Sequence, residues 1–600
     1  MGIFAKPNFI MAHKFVSLQE NLCTMQHHKY IAIDIGGSWI KGIVTTGHTF
    51  SKNTNRVINS FNIQRVKSPF HNACTVEQLL AALNALFTAL HVAEDRIYGI
   101  AISTPGVVNY GGTKVLNSNP KLKILENELW LSELKTKFNC PVHLINDADA
   151  TAIGLCETAF CSGKKRIGIM PIGTGLGFSI WNNGRRWRPN KTLPLLGSVI
   201  ALGNEYNELA SATKLAQMAK TPNLIEVLTN HAYLKERNTY FNNLSDIIKT
   251  ATTLYNLDEV VIAGGIVDAA NSCNFSIFGA LTKHLEIPPH LPQKAVNIKI
   301  AEHGNALQLL GCLALIHGEI IAKKNNIDYK YSNLDTELPY DNTFRPEQLD
   351  SLQIISALWN AEQLAGKELE KSLKAIALIV DDCVENIKSG GRIIYVGSGT
   401  SGRIAALDAV EVPCTYGFPE DKIITLISGG LTEACMQIET DFEEDASAVP
   451  EALLLNIMPN DVVIGISASG TSYYVRSALS LAKEKKAMTV MVQANYTEKA
   501  HKFCDHVIAL GSGKELICGS TRMKAGTATK KVLNFLSTTL MIKLGKVVGP
   551  YMVDLACTNK KLVQRAVTIL EHLYAMESSE AMHQLMLADM QLSKVIDNVK

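Results

Sequence analysis

Gly397-Ser398-Gly399-Thr400-Ser401-Gly402-Arg403 directly follows the apolar run Ile393-Ile394-Tyr395-Val396. That order predicts a buried strand, a glycine- and hydroxyl-rich turn, and a helix opening near Ile404. Glycines let a backbone approach a ligand closely, and the free N–H groups of a helix start favour an anion. Thr400 and Ser401 add hydroxyl donors, and Glu411 sets a carboxylate further along the same helix. A phosphate anchor with an acid beside it suits chemistry on a phosphorylated small molecule. Two more hydroxyl-rich segments follow. Ser467-Ala468-Ser469-Gly470-Thr471-Ser472 comes after the apolar run Val462–Ile466, and Gly519-Ser520-Thr521-Arg522-Met523-Lys524-Ala525-Gly526-Thr527 leads into a helix carrying Lys530. A lone loop of this composition is usually only a turn. Two of them at strand ends mark the place where open α/β sheets bind ligands.

The N-terminal half has its own series. Tyr30–Ile35 runs into Gly36-Gly37-Ser38, with Asp34 just before the turn and Lys41 just after it. Asn146 and Asp147 follow the apolar run Val142–Ile145, which places a carboxylate at a strand's C-terminal end. Gly173-Thr174-Gly175 follows Ile167–Ile172, and Gly264-Gly265 follows Val260–Ile262. Alone, a glycine turn after a strand is weak evidence, and the three later features strengthen it.

The elements that must hold these residues are strands and helices in alternation, which argues α/β layers throughout. Six hundred residues exceed one ordinary domain. The stretch 321–346, rich in Asn, Asp, Tyr and Lys, breaks the alternation and reads as a linker between halves at 29–320 and 347–560. Residues 1–28 read as a leader without a signal-peptide core, and 561–600 as a helical tail. A hydrophobic fraction of 47% and a charged fraction of 19% are those of a soluble globular protein. A net charge of +2 gives no reason to expect nucleic acid or an acidic membrane as partner. No apolar run reaches the ~18 residues of a membrane span. The 13 cysteines form no CxxC pair, so reduced thiols in a cytoplasmic enzyme are expected.

On its four motifs, the N-terminal half resembles the ROK family of sugar kinases, within the actin-like ATPase superfamily. The resemblance implies a two-lobed fold that uses ATP and Mg²⁺. It assigns nucleotide binding to Asp34, Gly36, Gly37, Ser38, Lys41, Gly173, Thr174, Gly175, Gly264 and Gly265. It implies Asp147 as general base on a sugar hydroxyl, with Asn119 and Asn146 beside the sugar. The family's zinc motif has no counterpart, since neither Cys nor His occurs between Lys191 and Met218, and structural zinc is expected to be absent. Leu195 and Ser198 stand where the family has a sugar-contacting Glu and His, and Asn207 where it has a second Glu.

The C-terminal half resembles sugar isomerase (SIS) domains, and more narrowly the N-acetylmuramic acid 6-phosphate etherases. Leu407-Asp408-Ala409-Val410-Glu411-Val412-Pro413 and the long Ser520–Ala528 segment carry the narrower match. It implies a flavodoxin-like parallel sheet in three α/β/α layers, a homodimer, and release of D-lactate and N-acetylglucosamine 6-phosphate without a cofactor. Ser398, Thr400, Ser401, Ser467, Ser469, Thr471, Ser520, Thr521 and Lys524 are the implied substrate ligands, and Glu411 a proton-transfer residue. Burial would fit such a carboxylate for both proton transfers. Counting back from the second loop without gaps puts Phe442 at the family's second acid, whereas a one-residue shift makes Glu443 that acid. Together the halves imply a bifunctional recycling enzyme for peptidoglycan sugars. The alternative is a sugar-phosphate sensor with a tethered kinase.

Overall fold

The computed structural model describes residues 29–46, 61–70, 74–92, 97–109, 112–118, 120–157, 166–182, 185–187, 200–201, 204–283, 297–324, 334–341, 343–430, 448–496, 498–554, 557 and 559–599. Backbone packing divides the chain into two compact units, the first running to Ile320 and the second starting at Ile321, with a four-residue exception at Leu453–Asn456.

The first unit contains one plan used twice. Strands β1 (Lys29–Ile35), β2 (Trp39–Thr46), β3 (Gln64–Lys67), β4 (Ile97–Thr104) and β5 (Val142–Asn146) form a sheet in the order β3-β2-β1-β4-β5. Strands β6 (Arg166–Pro171), β7 (Ser179–Asn182), β8 (Arg185–Trp187), β9 (Glu259–Ala263) and β10 (Asn297–Ile300) form a second in the order β8-β7-β6-β9-β10. In each, the first strand pairs antiparallel with the second and parallel with the fourth. Each sheet has its own core, built on Ile31, Ile33, Ile100 and Ile102 in one and on Met170, Val260, Ile262 and Tyr240 in the other. The repeat is one of topology, and no repeated sequence announces it. Helices α1 (Asp147–Glu157) and α2 (Ala306–Lys324) meet backbone to backbone. A Cβ on Gly154 would lie 2.1 Å from the Leu307 carbonyl oxygen, and one on Gly311 would lie 1.9 Å from that of Ala150.

The second unit is a parallel sheet of β11 (Ile393–Gly397), β12 (Ile423–Ile427), β13 (Val462–Ile466), β14 (Met488–Gln493) and β15 (His506–Ala509), in the order β12-β11-β13-β14-β15. All four pairings are parallel, and every residue of the three strands β11 to β13 is buried. Continuous apolar runs are what a sheet covered on both faces requires. Helices α3 (Ser351–Leu369), α4 (Leu373–Lys388), α5 (Gly399–Tyr416) and α7 (Lys524–Lys543) share one core with alternate sheet residues such as Ile393, Tyr395, Ile464 and Ile466. Helix α6 (Tyr473–Glu484) lies on the other face, where a Cβ on Gly465 would strike Val475 and Leu479 at 2.6 Å. This is the expected three-layer α/β plan, with its topological switch between β11 and β13, where doubly wound folds bind ligands. Three further helices, Lys560–Tyr574, Ser578–Leu587 and Leu592–Val599, close a small core of their own around Leu570, Leu585 and Ile596. Among the described residues no helix is long and apolar enough to cross a membrane.

Candidate active sites

The β1–β2 hairpin fixes the first site. Its register pairs Asp34 with Lys41 and Ile35 with Ile40, which leaves Gly36, Gly37 and Ser38 as the turn. Lys41 Nζ lies 3.5 Å from Asp34 Oδ2, and Ser103 Oγ donates to Asp34 Oδ1 at 3.1 Å. Burial pushes the Asp34 carboxyl up, while Lys41 and Ser103 pull it down. Asp147 opens α1 at the end of β5. Its pKa is raised to about 7, first by burial and then by the Asp34 charge, against the opposing hydrogen bond from Ala148 N–H. Asp147 as a residue is half-buried. A carboxylate poised near neutrality suits a general base. Asn146 is buried and structural: it donates to Gly106 O at 2.8 Å and accepts from the N–H groups of Ala148 and Asp149.

The second glycine turn faces the first. Ser38 Oγ is 3.1 Å from Thr174 Oγ1, and a Cβ on Gly37 would lie 2.8 Å from Thr174 Cγ2. Only glycine allows that approach. Around Gly173 a Cβ would meet nothing within 4 Å, so the turn borders open space. Asn207, which stands where the resembled family has a sugar-contacting Glu, accepts from Leu176 N–H at 2.7 Å. Gly264, at φ +89°, packs against the backbone of Ile172, and Gly265 lies beside Asn305. The described nucleotide-binding candidates therefore converge on one region. Asn119, Leu195 and Ser198 lie outside the described residues.

In the second unit the three hydroxyl-rich loops differ in what caps the helix each precedes. Ser472 Oγ accepts from Val475 N–H at the start of α6. The buried Glu515 accepts from Lys524 N–H at 3.1 Å and Ala525 N–H at 2.9 Å at the start of α7. Helix α5 has no side-chain cap, and its first turn presents Gly399, Thr400 and Ser401, all partly exposed. Gly399 has φ +53° with no atom within 4 Å of a Cβ position. The start of α5 is thus the one left available to an anion. Ser398 Oγ is 2.9 Å from Ser472 Oγ, which ties the first loop to the second across the switch point. Ser467 and Thr471 are buried, and Ser469 bridges them, with Oγ 3.4 Å from Ser467 Oγ and 2.7 Å from Thr471 Oγ1.

Two predicted residues sit otherwise than a simple ligand list would have them. Lys524 is 6% exposed, with its ammonium 5.1 Å from the centre of the Tyr340 ring. Burial pushes the Lys524 amine down, against the pull of Glu515. Ser520 and Thr521 remain partly exposed at the loop. Glu411 is not buried: its side chain is 59% exposed, 3.6 Å from Lys530 Nζ. It lies on the outward side of α5, one turn from Asp408, which faces inward. Lys530 also reaches buried Asp408 at 3.2 Å, and Asp408 in turn accepts from Tyr395 OH at 3.0 Å and Ser537 Oγ at 3.4 Å.

Known proteins resemble the chain half by half. A model described as ROK family matches residues 30–193, one described as SIS domain matches 440–538, and one described as glucokinase regulatory protein N-terminal SIS domain matches 375–483. The N-acetylmuramic acid 6-phosphate etherase of Petrotoga mobilis is 40% identical over 261 residues, covering 43% of this chain and 87% of its own. That of Clostridium beijerinckii is 41% identical over 234 residues, 39% of this chain and 77% of its own. The chain belongs to the N-acetylmuramic acid 6-phosphate etherase family. It carries in addition a ROK-family domain at its N-terminal end. Among solved structures, a ROK family glucokinase from Streptomyces griseus in complex with glucose and AMPPNP aligns with 18% identity and a TM-score of 0.39 over 47% of this chain and 97% of that one.

Against the etherase family, the Asp408 network is what sequence reading passed over. The one available signal was a charged residue on the apolar side of a helix, one turn before Glu411. Glu443, the candidate for the second acid, and Phe442, which the ungapped count puts in its place, fall within 431–447 and lie outside the described residues.

Proposed function

We propose that the chain carries out two successive reactions on amino sugars. The first unit phosphorylates a sugar with ATP. The second cleaves the D-lactyl ether of N-acetylmuramic acid 6-phosphate to N-acetylglucosamine 6-phosphate and D-lactate. The observation that carries this reading is the etherase match over 87% of a relative's length, joined to an uncapped α5 start at the switch point of the second sheet. Incubation with ATP and N-acetylmuramic acid should yield ADP and D-lactate. Absence of both would sink the proposal, and lactate from the 6-phosphate alone would confine it to the second unit.

In the kinase reaction Asp147 takes the proton of the attacking sugar hydroxyl as its oxygen bonds to the γ-phosphorus and ADP departs. The two facing glycine turns hold the phosphates. Asp34 and Asp147, hard oxygen donors, are proposed to hold Mg²⁺, which would offset their mutual repulsion. When bound, Mg²⁺ neutralises charge on the nucleotide.

In the etherase reaction the open-chain aldehyde acidifies the C2 proton. A carboxylate removes that proton, the C3–oxygen bond breaks as lactate takes up a proton, and water adds across the resulting double bond. Glu411 and Glu443 are proposed for the two proton transfers. Thr400, Ser401 and the α5 N-terminus are proposed for the 6-phosphate, and the Ser467–Thr471 and Ser520–Thr521 hydroxyls for the sugar. A second copy of the chain is proposed to cover Glu411. Leu407 and Val410, on its own helix, are 49% and 63% exposed, and α3 exposes Leu352, Ile355 and Trp359 along one stripe. Both sugars, and the free thiols of the described cysteines, suit the cytoplasm.

A further inference from the structure

The stretch just before the second unit's helices, expected to be a linker, folds onto the ligand loops. Residues Asp335–Glu337 form a single 3₁₀ turn. At its centre Thr336 has no exposed surface. Three hydrogen bonds engage it. Thr336 N–H donates to Asn495 Oδ1 at 3.3 Å, and Asn495 Nδ2 donates back to Thr336 Oγ1 at 2.9 Å. The same Nδ2 is 3.4 Å from the carbonyl oxygens of Ala468 and Ser469, which lie inside the second hydroxyl-rich loop. On the other side Gly519 N–H, the first residue of the third loop, donates to Thr336 O at 2.9 Å. Cys518 Sγ donates to Glu337 O at 3.0 Å, and Tyr340 lays its ring against the Lys524 ammonium. Gly519 has φ +75°, and a Cβ there would come within 3.3 Å of Glu337 Oε2, so the close seat of this segment depends on glycine.

We infer that residues 334–341 are a strap belonging to the sugar-phosphate site, and that Thr336 is a positioning residue that locks the second and third loops into one unit. The physical reason is the place of the two loops in the sheet. The two loops leave different strands, β13 and β15, and β14 lies between those strands in the sheet. Ladder hydrogen bonds from Ser467 N–H to Val492 O and from Ala494 N–H to Ala468 O hold only the start of the second loop to the β14 segment. What spans the gap is Asn495, at the end of β14, and Thr336, which accepts from one loop and exchanges hydrogen bonds with the residue that holds the other. Loops free to move independently would lose affinity to the cost of ordering them on each binding event. The strap meets that cost during folding. Tyr340 and Glu337 extend the same clamp to Lys524 and Cys518.

The inference rests on the etherase reading for its substrate but not for its geometry, and the experiment separates the two. Hydrogen exchange by mass spectrometry would be followed on peptides covering Ser467–Ser472 and Gly519–Lys524 in the full-length wild-type chain, Thr336→Val, Thr336→Ser and Asn495→Asp. Thr336→Val keeps the shape and removes the hydroxyl; Thr336→Ser keeps the hydroxyl; Asn495→Asp keeps the size and removes the Nδ2 donors. Both loops should exchange faster by about tenfold in Thr336→Val and Asn495→Asp, and stay near wild type in Thr336→Ser. The KM for N-acetylmuramic acid 6-phosphate should rise about five- to tenfold in the first two variants, with kcat changed far less. Faster exchange in one loop alone, in neither, or equally in Thr336→Ser would overturn the strap. Wild-type protein that shows coupled loops but releases no lactate would refute the etherase reading and leave the strap standing.

Discussion

Asp147 carries the sharpest residue-scale consequences. With a pKa raised to about 7, it is deprotonated, and so competent as a base, only above that pH. The sugar-phosphorylation kcat/KM should therefore fall about tenfold for each pH unit below about 7. Asp147→Asn should remove about 10²- to 10⁴-fold of ADP formation and abolish that acid limb. A variant that keeps the limb would assign it to another group. The same shift has a stability sign. The folded state binds a proton that the unfolded state has already lost between the ordinary carboxylate range and about pH 7, so ionisation of Asp147 costs stability as pH rises through that window. Asp147→Asn should accordingly melt higher than wild type at pH 8 and at the same temperature near pH 4, measured by thermal denaturation. In the second unit, Glu411→Gln should abolish lactate release from N-acetylmuramic acid 6-phosphate while leaving ADP formation intact. The places of Asp34 and Asp147 were legible in the sequence because one stands just before a glycine turn and the other just after a strand, whereas the exposure of Glu411 was not. Asn207 and Thr336 were not, since their partners, Leu176 and Asn495, lie 31 and 159 residues away.

At the scale of elements, apolar runs ending in glycine turns or beside a carboxylate made β1, β5, β6, β9, β11 and β13 readable, whereas strands such as β2, β3, β12 and β15 carried no such mark. The order of the strands was not readable, because register and crossover are set by packing between distant segments rather than by any local pattern. The doubled plan of the first unit is the clearest case: two sheets with the same pairing share no visible sequence repeat. Small residues were the other quiet signal. Gly154 and Gly311 sit mid-helix, where glycine costs about 1 kcal/mol against alanine, and the structure supplies the reason. Each stands where α1 and α2 bring their backbones together, with carbonyl oxygens 2.1 and 1.9 Å from the Cβ positions. Gly311→Ala should thus destabilise the first unit rather than improve its helix, by roughly 2 kcal/mol or more, because the helices must separate to admit a methyl group. Because Asp147 begins α1, the shift should also lower kinase turnover. Chemical denaturation together with ADP release tests both parts, and a Gly311→Ala protein as stable as wild type would show that the helices can part without penalty.

For the whole molecule, the fusion places two folding units with separate cores on one chain. Among the described residues each unit has cores of its own, so two-state behaviour is expected within each unit and not for the chain. Scanning calorimetry should resolve two transitions. A ligand stabilises only the state that binds it, by about 2.7 kcal/mol when present at a hundred times its Kd. Mg²⁺–ATP should therefore raise the transition of the first unit alone, and N-acetylglucosamine 6-phosphate that of the second. Asp147→Asn should shift the first transition at pH 8 without touching the second, and Thr336→Val should do the reverse, lowering the second. A single transition raised by both ligands would mean that the units fold as one body, and the two reactions would then have to be considered as coupled through it. Two transitions, each answering to its own ligand, would fit supply as the fusion's advantage: a 6-phosphate formed by the proposed kinase would be released on the chain proposed to consume it.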